Sequence, residues 1–556
     1  MSQSNLLRVY TARSIITQNP SMPRAEAVAV KEGQIVEVGT LESLAPWLNA
    51  YPHEIDHRFR DAVLTPGFID PHLHPSMAAI LLPMNFITAT EWRLPWTTVP
   101  PSDTPERFDE RARSLVVEAQ SSEEPLLIWG YHQLWHGPMS RARINSFAEE
   151  RPIVVWHRSF HELYMNDGAL RWLDISAEQV RERPQINLET GHFFEAGLGF
   201  AIRRLNPYLL GPQRYQDGLA RLREVVHHGG HTTIGDMATG LFDFESEMAA
   251  MNTVLETPHT PFRTDIVPDA TKLFHYRDDD AQALEFLQTL HQRNGQRLRF
   301  NDHVKLFADG AFFSQLGQMS APGYIDGHAG EWLTPPETLE AQARVLWNAG
   351  YKIHVHVCGD LGVELALSVL EKLQWERPRF NHGFTFEHFG FSHPEQVARI
   401  AKLGGNVSAN AYYLYELSDM YSREGIGVER ASAMARVGSC VRAGITTTLH
   451  SDFTMAPAAP LNSAWVAANR INSAGHVMCA EECLTSAEAL RAITLDAAIV
   501  LGREHEVGSI RAGKRADFTV LGADPLLEPS TALKDIPVLG TVFEGQAFEC
   551  GESEYR

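Results

Sequence analysis

A pair of histidines follows an apolar run near residue 70, and side chains of this type can bind a metal ion. The stretch LTPGFIDPHLHPSM places His72 and His74 two residues apart. Side chains alternate between the faces of a strand, so both histidines would share one face with Asp70. With 25 histidines in 556 residues, roughly one such triplet is expected by chance, so the pattern needs partners elsewhere.

Other apolar runs in the sequence also end in residues whose side chains can bind a metal ion. They are Lys305 in HVKLFADG, His354 and His356 in KIHVHVCGD, His388 in FTFEHFG and Asp452 in TTLHSDF. Taken singly, each histidine is more often a structural residue, and Asp452 is more often a cap or a structural carboxylate. Lys305 is unusual because an ammonium group is costly to bury, so it is either an ion-pair partner or a reactive lysine. Reaction with carbon dioxide would give a carbamate that can bridge two cations.

The elements that must position these residues alternate strand-like runs with helix-like segments, as parallel βα units do. The candidate strands are VLTPGFID, HTTIGDM, FRTDIVPD, HVKLFAD, KIHVHVCGD, GFTFEHF, GGNVSAN and ITTTLHSD. They predict an α/β fold, a (β/α)8 TIM-like barrel over residues 66–504 with the candidate residues at the carboxyl ends of its strands. About 160 residues separate the first two runs, which predicts a large insertion after strand 1, a lobe at about 76–225.

Both ends of the chain are rich in short strands and glycine turns. The N-terminal strands surround a predicted hairpin turn at Glu32–Gly33, and the C-terminal part contains VGSIRAGKRADFTVLG and VLGTVFEGQAF. We therefore expect residues 1–65 and 505–556 to form one composite β-sandwich.

Composition argues against several classes of partner. The chain has 48 basic and 69 acidic residues and a net charge of −21, which repels phosphate backbones and anionic membranes. We therefore expect no nucleic-acid partner and no membrane partner. No apolar run is long enough to span a bilayer, and no basic segment precedes a continuous apolar stretch at the start, so the expectation is a cytoplasmic protein.

Several ordered motifs carry a family resemblance over most of the chain. PGFIDPHLHP is similar to the first-strand signature of the amidohydrolase superfamily. The motifs VKLFADGA, HVHVCGD, FEHFG, HSDF and GSIRAGKRADFTVLGADPL resemble its amidohydrolase family 3 branch, which includes N-substituted formamide deformylase-like metal-dependent hydrolases.

The resemblance implies a role for each candidate residue. It places the more buried metal ion on His72 and His74 and a second metal ion on His356 and His388. A carbamylated Lys305 would bridge both ions. Asp452 would be a ligand of the first ion and would carry protons. His354 shares a face with His356, but the following Gly-Asp puts His356 at the ligand position. The donor set lacks thiolate and suits zinc, two ions per chain, with manganese, iron or cobalt as alternatives.

These roles imply an enzyme that hydrolyses a carbon–nitrogen bond other than a peptide bond. The expected substrate is a small linear amide such as an N-acyl or N-formyl amine, attacked by a metal-bound hydroxide. Asp452 would accept the proton of the water and deliver it to the leaving nitrogen. A ring-amidine deaminase with one metal, a mononuclear hydrolase and a non-catalytic scaffold are the alternatives. A homodimer is expected.

A motif in the predicted lobe, HRSFHELYMND, resembles a motif of the same branch. It contains Arg158, His161 and Asn166. His161 is a catalytic and substrate-binding candidate that would contact the substrate or its oxyanion. A structural polar cluster explains the motif equally well.

Two segments depart from the usual pattern of the branch where substrate should lie. They are AFFSQLGQM, after Asp309-Gly310, and SANAYYLYE. Their aromatic residues Phe312, Phe313, Tyr412 and Tyr413 suggest an apolar or aryl substituent on the substrate. Core packing is the alternative for each of them.

Overall fold

The computed structural model describes residues 6–118, 124–277 and 279–551. The chain divides into two compact units. The first contains the residues up to His74, Arg223–Thr239 and the residues from Leu255 onward, and the second contains Pro75–Leu222 and Gly240–Val254. Every helix in the described part of the chain is too short or too polar to cross a lipid bilayer.

Eight described strands of the first unit overlap the eight predicted runs, although the first half of VLTPGFID belongs to the strand His53–Pro66 of another sheet. In chain order they are Phe68–Leu73, His231–Thr239, Arg263–Pro268, His303–Phe307, Lys352–Val357, Thr385–His388, Asn406–Ala409 and Thr447–Leu449. The first three pair in parallel in one sheet, whose edge is the short strand Leu298–Phe300. The other five pair in parallel in a second sheet. Nearly every residue of these strands is buried, as in a parallel sheet that is covered on both faces.

Backbone contacts link the two parallel sheets on both sides. An isolated parallel bridge joins Asp269, after the third strand, to Lys305 in the fourth. At the other side, Asp452 N–H donates to the His72 carbonyl at 2.9 Å, and His74 N–H donates to the Phe453 carbonyl at 3.2 Å. The end of the eighth strand is therefore tied to the end of the first.

Helices of the first unit follow most of the parallel strands. They are Ala45–Ala50, Ala270–Tyr276, Asp280–Thr289, Pro336–Asn348, Asp360–Glu376, Pro394–Leu403, Tyr412–Met420, Val428–Ser432, Val437–Arg442, Pro460–Asn469, Ser486–Ala492 and Leu495–Val500. The last of them packs its alanines against Ile69, Met237 and Val267 of the first three strands. This apolar contact holds the outer face of the strands while their carboxyl ends remain available for polar residues.

Strands from both ends of the chain lie in one sheet of seven described strands. Its order is Gln546–Glu549, Val538–Phe543, Phe518–Leu521, His53–Pro66, Leu7–Ile16, Arg24–Lys31 and Gln34–Gly39. Glu32 and Gly33 connect the last two strands with φ values of 51° and 77°, the left-handed backbone of a tight hairpin turn. One apolar cluster includes Tyr10, Val28 and Phe518, and another includes Leu7, Val9 and Ala27, because alternate residues of each strand point to opposite faces.

The second unit has its own sheet and core. Its described strands are Asn85–Phe86, Trp92–Leu94, Thr97–Val99, Leu126–Tyr131, Ile153–His157, Glu162–Met165, Ile186–Asn187 and His192–Phe194. Its helices are Pro75–Leu81, Pro105–Glu118, Gln133–His136, Arg141–Asn145, Asp167–Trp172, Ala177–Val180, Ala196–Leu209 and Phe244–Val254, and the helix Pro212–His228 begins in this unit and ends in the first. Phe108, Ile128, Tyr131 and Ile153 form part of its apolar core.

Glu247 explains why the segment Gly240–Val254 belongs with this unit. Its carboxylate accepts a hydrogen bond from Ser76 Oγ at 2.7 Å and further bonds from the backbone of Gly240, Phe242 and Asp243. The second unit is thus assembled from two stretches of chain, whereas the sequence predicts one continuous lobe.

Candidate metal centre

A carboxylate and three imidazoles meet at the carboxyl ends of the first, sixth and eighth strands. Asp452 Oδ1 lies 3.1 Å from His74 Nε2 and 3.5 Å from His72 Nε2. Asp452 Oδ2 lies 3.5 Å from His388 Nδ1. All four side chains are buried. One carboxylate is therefore shared by histidines that lie more than 300 residues apart in the chain.

The backbone turns sharply at two of these residues. His388 has a φ of 70° and Asp452 a φ of 51°, both in the left-handed region that residues with a Cβ rarely adopt. At the end of a strand, such a turn changes the direction of the next side chain. Backbone conformations of this kind concentrate at functional sites, where the surrounding structure holds them in place.

His450, which was not among the predicted site residues, also lies in this group. Its ring stacks on that of His72, with centroids 4.4 Å apart and planes inclined by 12°. Ligand atoms of His72, His388 and His450 lie within 4.8 Å of one another, as do those of His72, His74 and Asp452. The signal was its spacing: His450 precedes Asp452 by two residues, as His72 precedes His74.

Lys305 and His356 extend the group. His356 places its ring centroid 4.3 Å from that of His388, and its Nε2 lies 3.3 Å from Cys358 Sγ. Lys305 is fully buried, and its Nζ has no hydrogen-bond partner among the described residues. Burial lowers the pKa of this ammonium group to about 8, although the negative charges of Glu387 and Asp452 oppose the shift.

Glu387 is a second residue that the sequence analysis does not assign. It is fully buried, and its Oε2 lies 2.7 Å from His72 Nδ1. Burial raises its pKa, but the hydrogen bond from His354 and the charge of Lys305 outweigh that effect and lower it to about 2. On a regular strand Glu387 and His388 would point to opposite faces, yet both contact this site, at the point where the strand ends and His388 adopts a φ of 70°.

Burial determines the charge state of several of these imidazoles. It lowers the pKa of His72 and of His388 well below the ordinary value, and the neighbouring positive groups act in the same direction. Burial also lowers the pKa of His450 to about 4. These histidines are neutral near pH 7, which is the form that binds a metal ion.

Asp70 supports the site from the first strand. It accepts hydrogen bonds from Ser451 Oγ at 2.5 Å and from the backbone N–H of His72 at 3.2 Å. Burial raises its pKa to about 7, while the bond from Ser451 opposes the shift. Asp70 thereby joins the end of the first strand to the loop that carries Asp452.

The residues present fit a divalent cation. Buried nitrogens of His72, His74, His388 and His450 have no hydrogen-bond partner among the described residues, and such groups are rare in native proteins unless an ion or a water satisfies them. Together with the Asp452 carboxylate they form an imidazole and oxygen donor set, which suits zinc and its neighbours in the first transition series.

Four aromatic residues were predicted from the sequence to lie near the substrate, and all four are buried. They are Phe312, Phe313, Tyr412 and Tyr413. Tyr413 contacts Phe312 and Phe313, at centroid separations of 5.2 and 5.4 Å, and lies 6.4 Å from the ring of His388. Tyr412 instead contacts Tyr415, at 5.1 Å. Of the two tyrosines, Tyr413 is thus the one that lies next to the histidine cluster.

The motif HRSFHELYMND lies in the second unit, where its side chains pack against aromatic rings and make polar contacts. The Arg158 guanidinium lies 4.7 Å from the Trp129 ring and 5.0 Å from the Trp92 ring. Asn166 caps the helix Asp167–Trp172, accepting from the Ala169 N–H. His161 is partly exposed, with its Nδ1 3.2 Å from Glu195 Oε1.

Comparison with known proteins decides the family of this chain. A sequence model of the amidohydrolase family matches residues 60–548, nearly the whole chain. The chain belongs to the amidohydrolase family. This is a family of metal-dependent hydrolases.

Several relatives of this amidohydrolase are distant in sequence but match it over most of its length. An N-substituted formamide deformylase of Arthrobacter pascens is 24% identical and covers 98% of each chain. A putative amidohydrolase of Bacillus subtilis, YtcJ, is also 24% identical, over 94% of this chain and 96% of its own. A solved structure of an uncharacterised metal-dependent hydrolase from Pyrococcus horikoshii has a TM-score of 0.73 at 19% identity, over 94% of this chain and 99% of that one.

Proposed function

We propose that this amidohydrolase cleaves a carbon–nitrogen bond other than a peptide bond, in a small linear amide such as an N-formyl or N-acyl amine. The observation that carries the proposal is the position of the Asp452 carboxylate, within 3.5 Å of histidines from two different strands. A full-length relative named as an N-substituted formamide deformylase supports this choice of bond.

We propose two zinc ions, with manganese, iron or cobalt as alternatives. The residues that would hold them are His72, His74, His356, His388, Asp452 and Lys305. A bound divalent cation lowers the pKa of a water molecule and polarises a carbonyl oxygen. The neutral imidazoles and the anionic carboxylate supply donors that such an ion needs in their deprotonated forms.

Lys305 would act as a carbamate. Its unprotonated Nζ attacks carbon dioxide, a nitrogen–carbon bond forms, and the nitrogen loses a proton to leave an anionic carbamate. Complete burial, the lack of a hydrogen-bond partner among the described residues and the lowered pKa all favour the unprotonated amine. With the pKa at about 8, a larger share of this amine is neutral at pH 7 than for an ordinary lysine.

Asp452 would move the proton in the reaction. Its carboxylate accepts the proton of the attacking water and then donates it to the leaving nitrogen as the carbon–nitrogen bond breaks. The left-handed turn at this residue and the bond from its backbone N–H to the His72 carbonyl hold the carboxylate beside the histidines.

The two parallel sheets would close as a (β/α)8 barrel, with the second unit as its insertion and the terminal strands as a separate domain. Phe312, Phe313 and Tyr412 would line the substrate site, and Tyr413 joins them because its ring lies near His388. His161 remains a candidate for contact with the substrate or its oxyanion. A homodimer remains our expectation for the assembly.

The test is a metal count followed by a substrate screen. Protein purified without chelators should contain about two zinc or similar ions per chain by elemental analysis. The loaded protein should release a primary amine from N-formyl or N-acyl amines, and removal of metal with a chelator should abolish the release. Ammonia released from a ring amidine by protein with one ion would support the deaminase instead.

A further inference from the structure

A chain of buried hydrogen bonds runs away from the candidate metal centre. Glu387 Oε2 lies 2.7 Å from His72 Nδ1, and Glu387 Oε1 lies 2.6 Å from His354 Nδ1. His354 Nε2 in turn lies 2.8 Å from His303 Nδ1. The four side chains are between 0% and 3% exposed, so solvent does not compete for these bonds.

The partners assign the hydrogens along this chain. A carboxylate only accepts hydrogen bonds, so His72 and His354 must both carry their hydrogen on Nδ1. The Nε2 of a neutral imidazole then holds a lone pair. For His354 this lone pair accepts the Nδ1 hydrogen of His303. For His72 the lone pair is on the buried Nε2, 3.5 Å from Asp452 Oδ1 and without a hydrogen-bond partner among the described residues.

We propose that Glu387 is a positioning residue that orients His72 to bind metal through Nε2, and that His354 and His303 hold Glu387 in place. This inference rests on the proposed metal site. It also gives different roles to the two histidines of KIHVHV. His354 uses both ring nitrogens in the chain of hydrogen bonds, whereas His356 lies beside His388.

The effect of Glu387 should be on metal affinity. Carboxylates that accept a hydrogen bond from a metal-bound histidine fix its ring orientation and raise its basicity, and their loss typically costs about 10- to 100-fold in metal affinity. In Glu387→Gln the amide nitrogen must face one of the two histidines. That histidine then has to move its hydrogen to Nε2. For His72 this blocks metal binding through Nε2, and for His354 it reverses the direction of the His354–His303 bond.

The experiment is a zinc titration of the metal-free full chain against a chromophoric chelator. Glu387→Gln should bind zinc about 10- to 100-fold more weakly than the parent. The matched control is Glu482→Gln, which changes another buried carboxylate, bonded to the Ser439 backbone and hydroxyl. The control should keep the parent affinity within about twofold. Equal zinc affinity of Glu387→Gln and the parent would overturn the proposal.

A crystal structure of the zinc-loaded parent provides a second test that needs no variant. Zinc on His72 Nε2, with Glu387 within hydrogen-bond distance of Nδ1, is the expected result, and zinc on Nδ1 of His72 would refute the assignment. Neither measurement uses a substrate. Failure to hydrolyse amides by protein that binds zinc in this way would therefore reject the proposed function and leave the role of Glu387 standing.

Discussion

Asp452 Oδ1 lies 3.1 Å from Nε2 of His74, although 378 residues separate the two in the chain. The same carboxylate reaches His388 with its other oxygen. A single carboxylate thus lies beside His72 and His74 and also beside His388, the histidines proposed to hold the two metal ions.

Asp452→Asn should lose activity while keeping its fold. An amide cannot accept the proton of the water, and general acid–base catalysis typically contributes about 10²- to 10⁴-fold. The measurement is kcat/KM on an amide that the parent cleaves, with metal content determined on the same sample. Asp496→Asn, which changes a buried carboxylate bonded to Arg491, is the control. Full turnover by the Asp452 variant with normal metal content would show that another group carries the proton.

Lys305→Ala should lose most of the activity, and short carboxylic acids should restore part of it. The added acid supplies the anionic oxygen donor that the carbamate supplies in the parent. Activity is measured with and without acetate or propionate, at constant ionic strength. If the variant is as active as the parent without any added acid, Lys305 is an ordinary structural residue and the mononuclear alternative gains support.

His450→Gln should weaken metal binding or lower the metal count. The His450 ring stacks on His72 and has no hydrogen-bond partner for either nitrogen among the described residues, so its polar atoms are satisfied only by a bound group. We expect an affinity loss of about tenfold or more, as for other residues around a metal. The same zinc titration measures it. Unchanged affinity together with a raised KM would assign His450 to substrate binding.

Acid should destabilise the second unit through His136. Its Nδ1 accepts from the His132 N–H at 3.0 Å, its Nε2 lies 2.7 Å from the Ser102 carbonyl, and burial lowers its pKa to about 4. Between pH 6.5 and 4 the unfolded chain binds a proton that the folded chain does not, so stability falls as the pH falls.

Urea unfolding of the parent and of His136→Gln at pH 7.5 and 5.0 tests this. The variant should be less stable at pH 7.5 because it loses hydrogen bonds. It should lose about 2 kcal/mol less than the parent on going to pH 5.0, since each pKa unit corresponds to about 1.4 kcal/mol. Parallel pH dependences of parent and variant would mean that other groups cause the acid sensitivity.

The sequence was sufficient for the parallel strands and for the residue types at their ends. Two-residue spacing and runs buried on both faces identify strands locally, which is why all eight predicted runs contain strands. The hairpin at Glu32–Gly33 was predictable for the same reason, because a two-residue turn with positive φ depends on the residues of the turn itself.

Only the tertiary structure decided which polar groups meet. His388 and Asp452 adopt left-handed backbone at the ends of their strands, and Glu387 bonds both His354 of the neighbouring strand and His72 of the other parallel sheet. The segment Gly240–Val254 joins the second unit through Glu247, which no local pattern reveals. Spacing along the chain reports local geometry, whereas hydrogen bonds across hundreds of residues depend on how the strands pack.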